Sequence, residues 1–339
     1  MLKVGIVGYG FMGRMHAACY DTLDDVEIKA VVDAVPAKRS MAAEARGCAV
    51  FENSAAMLEG ADMDIVDVCS CTGAHEEHIL AGLAHGKHVI CEKPMSLTLE
   101  SCDRIIAAAR SASTKVMIAQ VLRFWPEYQA VRKLVRSGEL GGVQWVSARR
   151  LSSVPTWSES NWILDVGASG GAVFDIHIHD QDFIAELIGP PKKIMAVRTL
   201  GCSGGDSILT LGWEHTGGAN SYAEASSSLP PGFPFNMSLL VACERGAIRF
   251  DSARTPSLVV YPAGGGEYVP EIPAPAVGSA KAGGNIDALG GYFNEISYFV
   301  DCVKTGNSPE VITLEDARQA VRICLAVRES AATGNVVDL

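Results

Sequence analysis

The sequence predicts an α/β protein with two domains: a doubly wound parallel sheet, followed by an α+β domain with a mostly antiparallel sheet. Three observations support this prediction. Short apolar runs alternate with helical patterns up to residue 122, and a Gly-x-Gly-x-x-Gly motif joins the first run to the first helical pattern. β-rich runs separated by glycine turns then extend from residue 192 to 262. A length of 339 residues suits two domains.

The bulk composition excludes several classes of protein. The formal net charge of −11 argues against a general binder of nucleic acid or anionic membranes. The sequence has no run of about 18 apolar residues that would span a bilayer, and its N-terminus has no signal-peptide pattern. The ten cysteines are scattered without a Cys-x-x-Cys pair, which favours buried reduced thiols. We therefore expect a cytoplasmic protein without nucleic-acid or membrane partners.

The first strand and helix are predicted by "KVGIVGYGFMGRMHAACY". The apolar run from Lys3 to Val7 is typical of a buried parallel strand. Gly8 allows a tight turn, Gly10 lets the backbone approach a pyrophosphate, and Gly13 lets helix and strand pack closely. The helix N-terminus would face the phosphates with unpaired N–H groups. The predicted cofactor-binding segment comprises Gly8, Tyr9, Gly10, Phe11, Met12 and Gly13.

Asp33 ends the second predicted strand, "VEIKAVVDA", 20 residues after Gly13. That spacing is typical of the acid that binds the ribose hydroxyls of a dinucleotide. A carboxylate there repels a 2′-phosphate, so the sequence favours NAD over NADP. A solvated turn acid is the alternative interpretation, and Lys38 and Arg39 could still accommodate a phosphate.

The alternation continues through "MDIVDVCS" as a strand, "HEEHILAGLAHG" as a helix, "HVICEKP" as a strand, "LTLESCDRIIAAARSAS" as a helix and "KVMIAQ" as a strand. This pattern predicts a parallel, doubly wound sheet that ends near residue 122. Glu92 and Lys93 come at a strand end, on the edge where open α/β sheets bind ligands.

Three motifs, in this order, resemble one family. Glu92-Lys93-Pro94 comes after the glycine motif, and "GGAVFDIHIHDQDF" is similar to a second-domain motif of glycines followed by Asp-x-x-x-His-Asp. The C-terminal segment from "YFNEISYF" to "NVVDL" is similar to the family's closing helices. The chain thereby resembles the glucose–fructose oxidoreductase / inositol dehydrogenase / rhizopine-catabolism (Gfo/Idh/MocA) family over nearly its whole length.

The resemblance implies a fold and an assembly. It implies an NAD-binding Rossmann domain over residues 1–122, and a substrate-binding and oligomerisation α+β domain over residues 123–339. The second domain would contain a large open, mostly antiparallel sheet. Because that sheet commonly mediates dimers or tetramers in the family, we expect a homodimer or homotetramer.

The loop after "MDIVDVCS" departs from the family pattern. The family often has Thr-Pro-Asn where this chain has Ser70-Cys71-Thr72, and His75 falls on a position usually held by histidine. The resemblance implies that Ser70, Cys71 and His75 help to bind the cofactor, together with Glu92 and Lys93. Loss of the proline would loosen the loop beside the nicotinamide.

Residues 175–182, "DIHIHDQD", allow two interpretations. On a strand, Asp175, His177 and His179 would share a face that suits a metal. On a helix, Asp175 and His179 would share a face that suits proton transfer, and His177 would point elsewhere. Periodicity alone leaves the choice open. A serine N-cap, a Gly-Pro stop and the resemblance favour the helix, so we predict no metal site.

The resemblance implies a catalytic trio of Lys93, Asp175 and His179. Oxidation of a secondary alcohol needs a hydride acceptor and a base, and imidazole exchanges protons near neutral pH. His179 would take the hydroxyl proton, Asp175 would orient it or relay the proton, and Lys93 would hydrogen-bond the reacting oxygen. The alternatives are an exposed Lys-Pro turn and a surface Asp–His pair. His177 is predicted to be packed or on the surface, with a substrate contact as its alternative.

Substrate contacts are predicted on two further segments. Arg123 and Trp125, in "VLRFWPEY", suit a sugar, because a charged donor meets hydroxyl groups and an aromatic ring covers C–H faces. Asn161 and Trp162 lie in the polar loop before the catalytic helix. The alternative for Arg123 and Trp125 is packing between the domains. Lys93, Asp175 and His179 would also contact the substrate.

The sequence therefore predicts an NAD-dependent dehydrogenase that oxidises a ring hydroxyl of a sugar, a sugar derivative or an inositol-like polyol. Two alternatives remain. One is an NAD-recycling glycosidase, which oxidises a ring carbon, eliminates the glycosidic substituent and reduces the carbon again. The other is a non-catalytic nucleotide or sugar sensor. Net cofactor turnover separates these three functions.

Overall fold

The protein contains two compact units. The structure, a computed structural model, describes residues 1–155, 159–201, 205–272 and 289–339. Of these, residues 1–121, 159–162 and 289–318 form the first unit, and the remainder forms the second. The units differ from the predicted domains mainly because residues 289–318 pack with the first unit. As functional domains, the bounds 1–122 and 123–339 remain a prediction.

The first unit is built around a parallel sheet. Its elements up to residue 121 are β1 (Leu2–Val7), α1 (Phe11–Tyr20), β2 (Val26–Val32), α2 (Pro36–Arg46), β3 (Ala49–Phe51), α3 (Ser54–Gly60), β4 (Ile65–Val68), α4 (His75–Ala84), β5 (His88–Glu92), α5 (Leu99–Ser111) and β6 (Val116–Ala119). The strand order is β3-β2-β1-β4-β5-β6, and every pairing is parallel. The doubly wound sheet is thus confirmed. Its order reverses between β1 and β4, so a ligand crevice opens at their carboxyl ends.

The central strands are buried on both faces, as parallel strands covered by helices must be. Every residue of β4 and β6 is buried, as are the last four residues of β1. One residue of β4 is charged: Asp67 is 0% exposed. A buried charge is costly unless other groups pair with it, so Asp67 marks a site that needs partners.

The rest of the chain adds three further groups of elements. They are α6 (Pro126–Ser137), β7 (Val143–Ser153), α7 (Val166–Ser169) and α8 (Ile178–Ile188), then β8 (Lys193–Leu200), β9 (Asp206–Trp213), β10 (Asn220–Leu229), β11 (Asn236–Cys243), β12 (Gly246–Asp251) and β13 (Leu258–Pro262), and finally α9 (Gly290–Thr305), α10 (Leu314–Thr333) and β14 (Val337–Asp338).

Helix α9 belongs to the first unit, where it packs against α1. The ring of Tyr292 lies 6.4 Å from the ring of His16, centroid to centroid. Lys304, in the last turn of α9, pairs with Asp25 at 2.5 Å. These contacts explain why a C-terminal segment joins the N-terminal sheet.

The second unit contains an eight-stranded sheet in the order β13-β12-β11-β7-β10-β9-β8-β14. β7 and β10 are parallel, and every other neighbouring pair is antiparallel. The predicted large, mostly antiparallel sheet is confirmed.

The two faces of this sheet differ. On one face, Tyr128 of α6 makes edge contacts with Phe183 of α8, at 4.7 Å, and with Phe250 of β12, at 5.2 Å. On the other face, where alternate residues of the strands point away from this core, large apolar side chains are exposed. We call this surface the exposed sheet face. Its large apolar residues are Met195, Val197, Leu209 and Tyr222. No helix in the described part of the chain is long and apolar enough to cross a membrane.

Candidate active site

The glycine loop between β1 and α1 is tightly built. Gly8 has a φ of +94°, and a Cβ there would lie 2.6 Å from the carbonyl oxygen of Cys69. A Cβ at Gly13 would lie 1.9 Å from the carbonyl oxygen of Gly8, so neither position accepts a larger residue. By contrast, a Cβ at Gly10 would meet nothing within 4 Å. This open space lies at the start of α1, which has no side-chain N-cap and therefore leaves N–H groups for a pyrophosphate.

The other predicted residues of the loop have different environments. Tyr9 is buried, and its hydroxyl accepts a hydrogen bond of 2.7 Å from Arg46 Nε. Phe11 and Met12 begin α1 and are half-buried. The side chain of Tyr9 therefore supports the loop, and cofactor contacts of Tyr9, Phe11 and Met12 remain predictions.

Asp33 lies where the ribose of a dinucleotide would be expected. Its Oδ2 accepts a hydrogen bond of 2.8 Å from Tyr9 N, and its Oδ1 accepts one of 2.9 Å from Val35 N. These bonds fix the carboxylate against the glycine loop, with lone pairs left for ribose hydroxyls. Arg39 donates to the backbone carbonyls of Asp33, at 2.6 Å, and Ala34, at 3.0 Å. The geometry fits NAD.

The loop after β4 is tied to the end of β5 by His75. Its Nδ1 lies 2.8 Å from Pro94 O, and its Nε2 lies 3.2 Å from Ser70 O. The ring is 1% exposed, and burial lowers its pKa, so the ring is neutral and donates to only one of these carbonyls, for which the shorter contact favours Pro94 O. Cys71 is exposed and Ser70 is half-buried, on the surface of this loop. His75 would therefore act on a cofactor through the backbone that it holds, and direct cofactor contacts of the three residues remain predictions.

Glu92 and Lys93 lie at the carboxyl end of β5. Glu92 Oε2 accepts a hydrogen bond of 3.1 Å from the backbone N of Lys93. Glu92 Oε1 lies 3.1 Å from Nε2 of His16, a residue of α1. Lys93 is half-buried. Its backbone is therefore anchored, and the residue lies at the carboxyl edge of the sheet.

His16 is a residue that the sequence interpretation missed. Its Nδ1 lies 2.9 Å from Asp67 Oδ2 and 3.4 Å from Cys69 Sγ. We call His16, Asp67, Cys69 and Glu92 the His16 cluster. Two signals pointed to it in the sequence: a histidine three residues after Gly13, and a charged residue inside the apolar run "IVDV".

Residues 175–179 are helical, as predicted. Val173–His177 forms a π-helical turn that continues into α8, whose C-cap is Gly189. Asp175 and His179 are half-buried, whereas His177 is 0% exposed. Among the described residues, the metal-type side chains close enough to hold an ion are His16, Asp67 and Cys69. The metal face of the strand interpretation is therefore not formed.

His177 is a packed residue, in agreement with its primary interpretation. Its Nε2 lies 2.8 Å from Thr210 Oγ1 and 2.9 Å from Gln181 Nε2. Burial, and to a lesser extent the charge of Arg150, lower its pKa to about 3. A neutral Nε2 can accept the Gln181 proton, so His177 has a structural role.

The first predicted substrate residues are involved in packing. Arg123 is 4% exposed, and its Nε and Nη2 each donate to Asp182 of α8 at 2.8 Å. A second buried pair joins Arg150 Nε and Nη2 to Asp180, at 3.0 Å. Trp125 packs against the core of the second unit. The alternative was packing between the domains, but the contacts described here lie within the second unit, and substrate contact remains a prediction.

Asn161 and Trp162 lie in a 3₁₀ segment, Glu159–Leu164. Asn161 is exposed, with a φ of +53°, a left-handed conformation that asparagine tolerates better than most residues. Trp162 is half-buried. Both remain predicted substrate contacts.

Comparison with known families agrees with this geometry. The model of the family described as "Oxidoreductase family, NAD-binding Rossmann fold" matches residues 2–120. The model described as "GFO/IDH/MocA C-terminal domain" matches residues 128–249. The two matches together cover most of the chain.

Individual proteins are similar over long stretches. Inositol 2-dehydrogenase of Rhizobium meliloti is 28% identical over 267 residues, which are 76% of this chain and 78% of that protein. Myo-inositol 2-dehydrogenase of Thermotoga maritima is 24% identical over 97% of this chain and 96% of its own length. A solved levoglucosan dehydrogenase, in complex with NADH and levoglucosan, has a TM-score of 0.86 at 23% identity, covering 99% of each chain. At that identity the structural likeness shows the fold.

Proposed function

This chain belongs to the Gfo/Idh/MocA oxidoreductase family, and from that premise we propose that it is an NAD-dependent dehydrogenase of a sugar, a sugar derivative or an inositol-like polyol. The observation that carries the proposal is the position of Lys93. It follows β5, on the same sheet edge as the glycine loop of β1 and the Ser70 loop of β4. A cationic donor therefore stands at the edge where the nicotinamide cofactor binds. The named inositol dehydrogenases among the relatives support the substrate class.

NAD, when bound, accepts hydride from the carbon that carries the reacting hydroxyl. The residues of this chain supply the remaining functions. The Lys93 ammonium group donates a hydrogen bond to the reacting oxygen and stabilises the negative charge that develops there. His179 takes the hydroxyl proton, and Asp175, four residues earlier, orients the imidazole or relays the proton.

The binding roles are divided between the segments already described. Gly8, Gly10 and Gly13 would hold the pyrophosphate, and Asp33 the ribose. The substrate would be contacted by the trio and by four further residues: Arg123, Trp125, Asn161 and Trp162. We further propose a cytoplasmic homodimer or homotetramer in which the exposed sheet face meets a second copy. Large apolar side chains on one side of a sheet support such an interface.

The test is NADH formation, followed by absorbance, with a panel of myo-inositol, levoglucosan, a methyl glucoside and a uronic acid. Each compound is assayed with NAD and with NADP. Turnover of one sugar class with NAD would support the proposal and identify the substrate class. If no compound of the panel gave NADH although calorimetry showed that NAD binds, the proposal would be contradicted. Release of methanol from the glucoside without net NADH would then favour the recycling glycosidase, and absence of all turnover would favour the sensor.

A further inference from the structure

The His16 cluster lies beside the candidate catalytic lysine and has no role in the function proposed above. His16 is 0% exposed on α1, and its two ring nitrogens face different carboxylates. Nδ1 faces Asp67 at 2.9 Å, and Nε2 faces Glu92 at 3.1 Å. A doubly protonated ring satisfies both contacts, because each nitrogen then donates to one carboxylate.

The cluster reaches Lys93 through a short chain of hydrogen bonds. Oε1 of Glu92 faces His16, and Oε2 of the same carboxylate accepts from the backbone N–H of Lys93 at 3.1 Å. On the other side, His75 bonds to the carbonyl oxygen of Pro94 at 2.8 Å. The Lys93-Pro94 segment is thus held at its N–H by the His16 cluster and at the next carbonyl by His75.

The electrostatic surroundings favour charge on His16. Burial is the largest single influence and would lower its pKa, but the charges and hydrogen bonds of Asp67 and Cys69 together raise the pKa well above the ordinary value of 6.5. Burial raises the pKa of Cys69, so this neighbour is a neutral thiol, which donates to Asp67 Oδ1 at 3.3 Å. The titratable groups around the ring are Tyr20 and Cys19 on α1, Asp67 and Cys69 at β4, Cys91 and Glu92 on β5, and Tyr292 and Glu295 on α9.

We propose that His16 is a positioning residue whose imidazolium, anchored on Asp67, fixes Glu92 and thereby fixes the backbone of Lys93. The inference rests on the proposed function, because it assumes that Lys93 acts on the reacting oxygen. A small displacement of a reacting group costs far more in turnover than in cofactor binding. Loss of the link should therefore lower kcat and leave NAD affinity nearly unchanged.

A metal ion is the alternative occupant of the cluster, since His16, Asp67 and Cys69 offer ligand atoms within 4.8 Å of one another. The contacts of 2.9 and 3.1 Å from His16 to the two carboxylates are ordinary hydrogen-bond lengths, so a proton suffices to hold them. Metal analysis of the purified protein distinguishes the two. One equivalent of zinc bound by the wild type and lost in a Cys69→Ser variant would overturn the proposal.

The decisive experiment uses two amides that each replace one ring nitrogen. In His16→Gln the amide nitrogen takes the place of Nε2 and can still donate to Glu92. In His16→Asn it takes the place of Nδ1 and can donate only to Asp67. Both variants lose the charge and the ring, and they differ by one methylene group and by the carboxylate to which the amide can donate. Glu92→Ala removes the link by another route if the asparagine variant folds poorly.

The first readout needs no substrate: hydrogen exchange at the Lys93 amide, with the Val89 amide of β5 as an internal control. We expect exchange at Lys93 to be at least about tenfold faster in His16→Asn and Glu92→Ala than in the wild type, and close to wild type in His16→Gln. Exchange at Val89, which donates to Lys115 O, should be unchanged. Equal protection of Lys93 in all four proteins would overturn the proposal.

The second readout is steady-state turnover with whichever panel compound the wild type oxidises. We expect kcat to fall about 10- to 100-fold in His16→Asn and to stay within about threefold in His16→Gln. The Kd for NAD should change by less than about threefold in both. The double variant His16→Asn/Glu92→Ala should be no slower than the slower single variant, because both changes break one link. Additive losses, or equal losses in the glutamine and asparagine variants, would overturn the proposal.

Failure of the proposed function and failure of the inference about His16 give different results. If Lys93→Ala turns over at the wild-type rate, Lys93 has no role in the reaction, and the inference falls with it. If Lys93→Ala is inactive while His16→Asn is fully active, only the inference falls. If no compound is oxidised, the exchange readout still decides whether His16 holds the Lys93 backbone.

Discussion

Two histidines of this protein are completely buried, and their surroundings give them opposite charge. His16 in the first unit and His177 in the second are both 0% exposed. Carboxylates face the His16 ring from two sides, whereas a hydroxyl and an amide face the His177 ring. Burial opposes charge on both rings, but Asp67 and Cys69 together keep the pKa of His16 well above its ordinary value. For His177, burial and then Arg150 lower the pKa to about 3.

The difference teaches that burial keeps a histidine neutral unless the groups facing its ring together outweigh burial. The charged ring lies on the side of the first sheet that carries Lys93, and it can hold a carboxylate in place. The neutral ring lies in the helical turn before His179 and only packs. In each unit the half-buried residue beside the buried histidine is the one we assign to chemistry.

The largest effect should come from removing those two half-buried residues. Lys93→Ala and His179→Ala should each lower kcat by about 10²–10⁴-fold, because each removes a group that acts on the reacting hydroxyl. NAD affinity should fall far less than kcat, since neither residue belongs to the glycine loop that would hold the pyrophosphate. Steady-state NADH formation and calorimetric NAD binding measure the two quantities.

Two matched substitutions control for this experiment. Lys133→Ala and His85→Ala remove the same residue types from exposed positions and should leave kcat unchanged. Wild-type activity in either Lys93→Ala or His179→Ala would remove that residue from the proposed catalytic trio.

The pH dependence of stability should separate the two buried histidines. His177 is neutral in the folded protein, so stability is lost as the pH falls below 6.5 towards about 3. His16 is protonated when folded, so its contribution is complete below 6.5 and is lost as the pH rises towards its raised pKa. Each contribution changes by at most about 1.4 kcal/mol per pH unit.

Urea unfolding of the wild type, His177→Leu and His16→Gln at about pH 5, 7 and 9 tests this contrast. His177→Leu should lower the free energy of unfolding at neutral pH by about 1–3 kcal/mol. It should also weaken the dependence of this free energy on pH on the acid side of neutrality. His16→Gln should instead weaken the dependence of the free energy of unfolding on pH on the alkaline side. If both variants changed the pH dependence on the same side of neutrality, the opposite charges assigned to His16 and His177 would be wrong.

A smaller effect is expected at the ribose site, which involves neither buried histidine. Asp33→Ser should weaken NAD binding about tenfold, because the ribose hydroxyls lose a charged acceptor. NADP should weaken less, since the repulsion of its phosphate is removed. The ratio of the two Kd values measures the change, and Asp24→Ser, at an exposed acid, is the control. An unchanged ratio would remove Asp33 from its predicted role.

The smallest effect on turnover is expected at the exposed sheet face of the second unit. The double variant Val197→Asp/Leu209→Asp places charges on two directly paired residues of β8 and β9. We expect light scattering to show dissociation to monomers, with kcat per chain within about threefold of wild type. Val269→Asp, at an exposed position outside the named strands, should leave the mass unchanged. An unaltered mass in the double variant would place the interface elsewhere.

The sequence by itself determined the features that depend on local spacing. The alternation of strands and helices, the glycine loop and the Asp33 spacing predicted the first unit, and the structure confirms its parallel sheet. The helix at residues 175–188 was predicted from two caps and the resemblance in addition to periodicity. The serine N-cap was wrong, because Ser169 is the last residue of α7. Such features are encoded within a few turns of chain, where the period of the pattern reports the local conformation.

Only the tertiary structure decided the surroundings of the buried charges. His16 meets Asp67 across 51 positions and Glu92 across 76, and Arg123 meets Asp182 across 59. Helix α9 joins the first unit although it begins 270 residues after the end of α1, Tyr20, at Gly290. A local pattern carries no information about such pairs, because the charge state of a residue depends on the neighbours that the fold brings to it.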